Sequence, residues 1–406
     1  MLRSPQVIAA LYVLLSPALL LQTRPGSDPP ANAQKIVLVA SFENTSKAPG
    51  IQWIGESFPE VIGQRLGSSG VRVMNRADRV RALDDAGVPA GVHPSRATMF
   101  RVADETDVDF VVLGSYDFDG HTFIATCQRL DMKRAHLSSK IVESGPLTKL
   151  IDIQTALAWD LLRLDDAALT TSRDAYVSAA PPIRLDSLEN YTRGVMANSA
   201  PEKIRYFHEA LRINPEYSDA EFALAEAEFE NKQYEAAAAA FMKVPPAQAS
   251  FTRAQFFLGL CALNLGQFEK SELIFAELAT RLPLSEIYNN LGVARARGPS
   301  SAGQSSSAGQ LSSLELFQKA ATADPDDDDY RFNLAVAMCR KGDTIGCTRE
   351  LRTFLTANPN DADAKGLLES LIAASDPKFA ASTPPLKIPQ ERIKPSYNEV
   401  PREATP

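Results

Sequence analysis

Short apolar runs rich in β-branched residues alternate with amphipathic stretches over residues 34–166. The amphipathic stretches cover 53–66, 76–86, 95–105 and 150–164, where apolar residues recur at helical spacing. Strand-like runs are found at Lys35–Phe42, Val71–Met74, Asp109–Tyr116, His121–Leu130 and Leu137–Glu143. The resulting order, β-α-β-α-α-β-β-β-α, predicts an α/β domain in which a mixed sheet and its helices form a three-layer module.

Residues 184–375 follow a different pattern, in which only helical spacing is found and similar units recur. Pro215, Pro283, Pro325 and Pro359 are 68, 42 and 34 residues apart, and an apolar residue lies eight positions before each of them. About five units are present, followed by a capping helix over 364–374; the fourth unit contains a Gly/Ser/Ala-rich insert, Gly298–Gln310, with the composition of a flexible loop. A helix-turn-helix unit of 34 residues resembles the tetratricopeptide repeat family. The expected fold class is therefore α/β followed by an all-α tetratricopeptide repeat solenoid.

Small residues within the units explain how their two helices pack. Gly259, Gly292 and Ala335 on the first helices let the second helices approach closely, while Gly266 and Gly342 end first helices at positions that require a positive φ. We therefore assign these residues a structural role.

The resemblance to tetratricopeptide repeats implies a concave groove, lined by the first helices, that holds an extended peptide or a helix of a partner protein. Asn290 and Asn333 occupy the position where some members hold a ligand backbone through an asparagine amide, whereas the lysines of the carboxylate-clamp members are absent. For most of the aromatic residues, packing between repeats is an equally good interpretation. The implied groove residues are Phe222, Glu226, Phe229, Phe256, Leu260, Leu263, Asn289, Asn290, Val293, Phe332, Asn333 and Val336.

The α/β region is similar to the amino-terminal domain of the TolB superfamily. The similarity lies in three short sequence motifs: Phe42-Glu43-Asn44 after a strand, Trp53-Ile54-Gly55-Glu56, and the strand from Asp109 to Ser115. In related bacterial proteins this module lies beside tetratricopeptide repeats. The resemblance implies a role in envelope assembly, or in sensing and regulation.

The two ends of the chain differ in composition from the domains. Arg3, the apolar stretch Val7–Leu21 and the small-x-small sequence Ala31-Asn32-Ala33 predict an export signal over residues 1–33. The protein is then periplasmic or secreted, with no stable membrane insertion after cleavage; an uncleaved signal acting as an anchor is the alternative. Residues 376–406 are rich in proline and predict a disordered tail.

Charge narrows the range of partners. The formal net charge is −8, and no cluster of Lys and Arg suited to nucleic acid is present. Acidic residues beside the predicted groove, Asp219, Glu226, Glu286 and Asp329, favour a ligand with basic character.

The sequence contains no motif for catalysis, metal binding or cofactor binding. The four histidines are scattered, and the acidic run from Asp324 to Asp329 lacks the Gly and Glu of a calcium loop, so we interpret it as a helix-capping turn. Cys339 and Cys347 either form a disulfide in an oxidising compartment or are two separately buried residues.

These observations predict an exported, non-enzymatic scaffold that binds a protein or peptide partner in the groove of its repeats. The alternative is a sensor in which the α/β module binds a small molecule and the repeats relay the signal. The oligomeric state is left open.

Overall fold

A computed structural model of the chain describes residues 35–89, 92–165, 170–246, 248, 250–299, 311–375 and 386–397. The predicted export signal lies outside these residues, as does the predicted insert apart from Gly298 and Pro299. None of the described helices is both long enough and apolar enough to cross a bilayer.

The first part of the chain is a mixed α/β module. Its strands are β1 (Ile36–Val39), β2 (Glu43–Asn44), β3 (Arg72–Val73), β4 (Phe110–Phe118), β5 (Phe123–Asp131), β6 (His136–Leu137) and β7 (Ile141–Gly145). Its helices are α1 (Trp53–Ser68), α2 (Arg76–Asp85), α3 (Arg96–Glu105) and α4 (Leu150–Arg163). The sheet runs β3-β1-β4-β5-β6, with β2 also paired to β4 and β7 to β5. Pairing is parallel from β3 to β4 and antiparallel from β4 onward, which confirms the predicted mixed sheet.

Alternate residues of β1 enter two different cores, one on each face of the sheet. Val37 and Val39 pack with α1 and α4, whereas Leu38 and Ala40 pack with α2 and α3. This alternation follows from the two-residue period of a strand. The sheet is therefore covered on both faces, and the module has three layers.

The three short motifs on which the predicted TolB resemblance rests meet around one aromatic ring. The ring of Phe42 stacks on Phe58, with centroids 3.9 Å apart, and a Cβ placed at Gly114 would lie 2.3 Å from it. The backbone N–H of Phe42 donates to the carbonyl of Gly55, and a Cβ at Gly55 would lie 2.5 Å from the carbonyl oxygen of Phe42. Gly55 and Gly114 are required for this packing, so the three short motifs have a structural explanation.

The second part is a succession of antiparallel helix pairs, as predicted. The pairs are α6–α7 (Leu185–Met196, Ala200–Ile213), α8–α9 (Ser218–Glu230, Tyr234–Phe241), α10–α11 (Phe251–Asn264, Phe268–Arg281), α12–α13 (Ser285–Arg297, Ser313–Ala323) and α14–α15 (Asp328–Arg340, Thr344–Ala357), followed by α16 (Ala362–Ser375). A short helix, α5 (Arg173–Ser178), precedes them and was not predicted.

A glycine on the first helix of three pairs faces a phenylalanine ring on the second. A Cβ would lie 2.5 Å from Phe207 at Gly194, 2.8 Å from Phe275 at Gly259, and 2.7 Å from Phe317 at Gly292. Such distances are too short for any side chain, so the ring occupies the space that a Cβ would fill. The observed contact explains the small residues noted in the sequence.

The α/β module and the first repeat share one hydrophobic core. Helix α1 packs against α6, and buried residues of α1, α4, α6 and α7 form a single cluster. Within this interface the hydroxyl of Tyr191 donates to Glu60 (2.9 Å), and Gln64 donates to Asp219 of α8 (2.7 Å). Burial raises the pKa of Glu60 and raises the pKa of Asp219 to about 6.

Cys339 and Cys347 form a disulfide, with Cα atoms 5.3 Å apart, that links α14 to α15. Cys127 and Cys261 are buried free thiols.

The prediction of a disordered tail is wrong for residues 386–397. This stretch has no regular secondary structure but lies against the repeats, where Glu391 is only 3% exposed. The composition of the segment does not indicate that it is ordered, because the contacts that hold it come from helices distant in sequence. Residues 376–385 and 398–406 lie outside the described residues.

We expect Gly259→Ala to lower the free energy of unfolding by about 1–3 kcal/mol, because the new methyl group overlaps the Phe275 ring. Urea denaturation measures the change. Gly366→Ala in α16 is the matched control, since no heavy atom lies within 4 Å of its added Cβ and better helix propensity adds up to about 1 kcal/mol. Equal effects of the two substitutions would contradict the packing argument.

We expect Asp219→Asn to change how stability depends on pH. The carboxyl has a pKa of about 6 in the folded state, so the folded state binds a proton more readily than the unfolded state, and stability falls as pH rises from about 4 to about 6. The variant should therefore match the parent near pH 4 and be about 2–3 kcal/mol more stable at pH 7.5. Denaturation at both pH values tests this, with the exposed Asp104→Asn as control; a variant that is less stable than the parent at pH 7.5 would refute it.

Candidate peptide-binding groove

The described C-terminal segment, Leu386–Tyr397, lies across the face formed by α10, α12 and α14, which we call the inner groove. Leu386 and Ile388 pack with the core of α14–α16, whereas Ile393 and Tyr397 pack with the core of α10–α13. The segment therefore runs from the fifth repeat back to the third. The groove is therefore occupied by a non-helical segment of the protein's own chain.

Asparagine side chains hold the backbone of this segment. The Asn333 amide donates to the carbonyl of Arg392 (2.8 Å) and its oxygen accepts from the Arg392 N–H (2.7 Å). Asn290 makes the same pair of bonds with Lys394, both 2.9 Å long. Asn289 also donates to the Arg392 carbonyl (2.9 Å) and accepts from Asn333 (2.7 Å), which fixes the orientation of both side chains.

These bonds join alternate residues of the segment, as a neighbouring β-strand would. Arg392 and Lys394 each have their N–H and C=O satisfied on the same side of the chain. Backbone groups are common to all sequences, so this clamp recognises an extended chain irrespective of its side chains. All three asparagines are fully buried beneath the segment.

A buried carboxylate from the segment lies between two arginines of the groove. The side chain of Glu391 has no solvent exposure and forms ion pairs with Arg297 of α12 (3.5 Å) and with Arg340 of α14. Arg297 also donates to the Glu391 carbonyl, and Arg340 donates to the Pro389 carbonyl (3.4 Å). The two guanidinium groups therefore hold both the charge and the backbone at this position.

The next basic residue, Arg392, contacts both acidic and aromatic groups. Its guanidinium lies 4.0 Å from the ring centroid of Phe332 and 5.0 Å from that of Phe354. It also donates to Asp329 (3.0 Å) and Asp361. Cation–π contact and charge-assisted hydrogen bonds thus act on one group.

The second basic residue, Lys394, binds Asp327, the N-cap of α14, and Asp329 in the first turn of that helix. Its Nζ lies 2.6 Å from Asp327 and 2.9 Å from Asp329, and 5.0 Å from the Tyr330 ring centroid. Burial alone would raise the pKa of Asp329, but hydrogen bonds from Lys394 and Arg392 outweigh it and lower the pKa. Burial would lower the pKa of Lys394, but its two aspartates raise it.

The predicted groove residues fall into three groups. Asn289, Asn290 and Asn333 contact the backbone of the segment, while Phe256 contacts Tyr397 (4.7 Å between centroids) and Phe332 contacts Arg392. Four others are buried among the helices: Leu260, Leu263, Val293 and Val336.

The third group lies in the second repeat and contacts neighbouring helices. Phe222 packs on Phe241, Phe229 packs on Phe257, and Glu226 pairs with Arg253 (2.8 Å). Phe229 therefore packs between repeats, whereas Phe222 packs on the second helix of its own repeat.

Among the acidic residues expected to attract a basic ligand, Asp329 binds Arg392 and Lys394. Asp219 instead accepts from Gln64 and Gln248, and Ser285 donates to Glu286. Thus one of these residues contacts the basic side chains of the segment directly.

Sequence reasoning missed Arg297 and Arg340, although a signal for them existed. Each lies seven residues after a clamp asparagine, Arg297 after Asn290 and Arg340 after Asn333. Seven residues correspond to about two helical turns, which places an asparagine and its arginine on the same face of one helix. The repeated spacing was therefore enough to group these four residues.

A cavity of about 620 Å³ lies where the α/β module faces the repeats. Its walls include Arg72, Asn75 and Arg81 from the module, Phe257 from α10, and Tyr397 from the segment. One end of the groove thus borders the α/β module. Among the described residues, no cluster of three or more His, Cys, Asp or Glu side chains has an arrangement suited to a metal ion.

Comparison with known proteins finds the repeat family in part of the chain. A tetratricopeptide repeat profile matches residues 199–255, from α7 to the start of α10. No curated protein sequence matches the chain. The match falls within the predicted repeat region, whereas the resemblance of the α/β module to the TolB superfamily stays a prediction.

Solved structures with a similar arrangement are distant in sequence. MamA from Desulfovibrio magneticus RS-1, from residue 41 to its end, is 18% identical, with a TM-score of 0.39, covering 45% of this chain and 99% of that one. YrrB, a TPR protein with an unusual peptide-binding site, is 15% identical, with a TM-score of 0.37 and coverage of 44% and 90%. The LpoB C-terminal domain from Salmonella enterica is 12% identical, with a TM-score of 0.25 and coverage of 28% and 82%.

We expect Asn290→Ala to loosen the C-terminal segment, because Lys394 loses one accepted and one donated backbone hydrogen bond. At about 0.5–1.5 kcal/mol per bond, hydrogen exchange of the Lys394 amide should accelerate roughly ten- to hundred-fold. Exchange mass spectrometry of residues 386–397 measures this. Asn264→Ala is the matched control, since Asn264 donates to Leu260 within its own helix; unchanged exchange in the Asn290 variant would contradict the clamp.

Proposed function

We propose that this protein is an exported, non-enzymatic scaffold that holds an extended segment of a partner protein in the inner groove. The observation that supports the proposal is the asparagine clamp, which binds backbone N–H and C=O groups at alternate residues. Such contacts recognise chain conformation and perform no chemistry. The clamp asparagines and the two arginines stand on consecutive repeats, so the groove is a composite of several helices.

The α/β module adds a second surface to this scaffold. Its shared core with the first repeat fixes it relative to the groove, so that a protein bound to the module is held at a defined distance from a segment in the groove. The predicted export signal and the TolB-like motifs favour a role in assembly or regulation of the bacterial envelope. The partner is then another exported protein.

An affinity capture from an envelope extract tests this proposal. Residues 34–406 serve as bait in three forms: parent, Asn290→Ala with Asn333→Ala, and the control Asn264→Ala. We expect one protein to be enriched by the parent and the control, to be lost with the double variant, and to cross-link to α12 or α14. Equal enrichment by all three folded forms would refute a role for the groove.

A second candidate function is supported by the cavity between the α/β module and the repeats. Its volume of about 620 Å³ lies within the range of small-molecule sites. Its walls carry both arginines (Arg72, Arg81 and Arg253) and carboxylates (Asp78, Asp85 and Glu105), which suits a polar ligand that bears both charges. In that case the module senses a metabolite and the repeats respond. Thermal shifts with metabolites that carry both an anionic and a cationic group should then be positive for the parent and lost in Arg72→Ala with Arg81→Ala; the absence of any shift would exclude this function for the compounds tested.

A further inference from the structure

The inner groove has two charged subsites of opposite sign. The first consists of Arg297 and Arg340, which occupy equivalent positions on α12 and α14 and converge on the buried carboxylate of Glu391. A basic residue at this position would be repelled by the two guanidinium groups, and a neutral residue would forgo both ion pairs. This subsite therefore selects an acidic residue.

The second subsite consists of Asp327, Asp329 and Asp361. These three carboxylates surround the two cations of the segment, Arg392 and Lys394. The rings of Phe332, Phe354 and Tyr330 face the same cations, so the subsite favours positive charge by ion pairing and by cation–π contact together. It would repel an acidic residue.

The asparagine clamp fixes which residue enters which subsite. Arg392 and Lys394 are the two residues whose backbones the asparagines hold through both N–H and C=O, so Glu391 is placed directly before the first of them. A shift of the chain by one residue would bring Arg392 toward Arg297 and Arg340. The groove therefore selects a charge pattern in the bound chain, and it does so in one register of that chain only.

We propose that the groove recognises an extended segment with an acidic residue, then a basic residue, an apolar residue, and a second basic residue, and that Leu386–Tyr397 is the internal competitor for such a ligand. This inference rests on the proposed function and specifies the partner's chemistry. Glu391, Arg392, Ile393 and Lys394 are the chain's own copy of the pattern. A partner segment binds by displacing this copy.

The competition has a predictable strength. Ten residues, 376–385, join α16 to the segment. A ligand tethered over a short linker acts at an effective concentration on the order of mM, so a partner captured by the full-length protein must bind the groove with a much higher intrinsic affinity than the internal copy. Weakening the internal copy should expose the groove to external ligands.

A labelled synthetic peptide of residues 386–397 tests the proposal by fluorescence anisotropy. The tail-displaced protein carries Glu391→Arg with Arg392→Glu, which exchanges two neighbouring residues and leaves the composition unchanged. The matched control carries Lys387→Gln with Gln390→Lys, an exchange between two exposed positions of the same segment. We expect the peptide to bind the tail-displaced protein at least ten-fold more tightly than it binds the parent or the control.

Two further measurements separate charge reading from backbone binding. A peptide with the 391/392 exchange should bind the tail-displaced protein at least ten-fold more weakly than the natural peptide. In a protein that carries Arg297→Glu with Arg340→Glu, and in which Arg392→Glu with Lys394→Glu displaces the tail, the natural peptide should bind weakly and a peptide with Glu391→Arg should bind more tightly.

Equal affinities of natural and exchanged peptides would overturn the charge pattern, and so would the absence of binding to the tail-displaced protein. The peptide comparison needs no change in the groove, so it stands even where the arginine variant fails to fold. Loss of the pattern together with continued asparagine-dependent capture would leave the scaffold function intact. Equal capture by the parent and by the Asn290→Ala, Asn333→Ala variant would instead refute the proposed function itself.

Discussion

The close contact between a glycine and a phenylalanine ring sets the geometry on which the groove depends. At Gly194, Gly259 and Gly292 the first helix of a repeat lies directly against the ring of the second. This contact fixes the separation of the two helices, and its recurrence stacks successive first helices side by side. Because α12 and α14 lie side by side, Asn290 and Asn333, two residues 43 positions apart, hold alternate residues of one chain.

A single continuous core makes the α/β module part of the same assembly. Helix α1 packs on α6, and buried polar contacts such as Tyr191 with Glu60 supplement the apolar packing. Carboxyl groups buried in an interface favour the protonated form, which explains the raised pKa of both Glu60 and Asp219. The stability of the junction between the two parts therefore depends on pH.

The elements that follow local pattern could be predicted from sequence, whereas contacts between distant segments could not. Periodicity predicted the order of strands and helices along the chain and the pairing of helices in the repeats. The small residues Gly259 and Gly292 indicated close helix packing, and the structure shows that each lies against a phenylalanine ring. The position of Asn290 and Asn333 followed from the family pattern. The location of residues 386–397 did not, because the partners of Glu391 are Arg297 and Arg340, and nothing in the segment's own composition indicates them. The α5 helix was missed because six residues carry too little periodicity to be recognised.

Helical repeat arrays unravel most readily from their ends, where a unit has a neighbour on one side only. The fifth repeat is close to such an end, since only α16 follows it among the described helices. The bond between Cys339 and Cys347 ties its two helices together covalently, next to Arg340 and on the helix that carries Asn333. Fraying of this terminal unit is thereby opposed by a cross-link rather than by packing alone. The part of the inner groove formed by α14 would then keep its bound shape after one segment leaves the groove and before another binds.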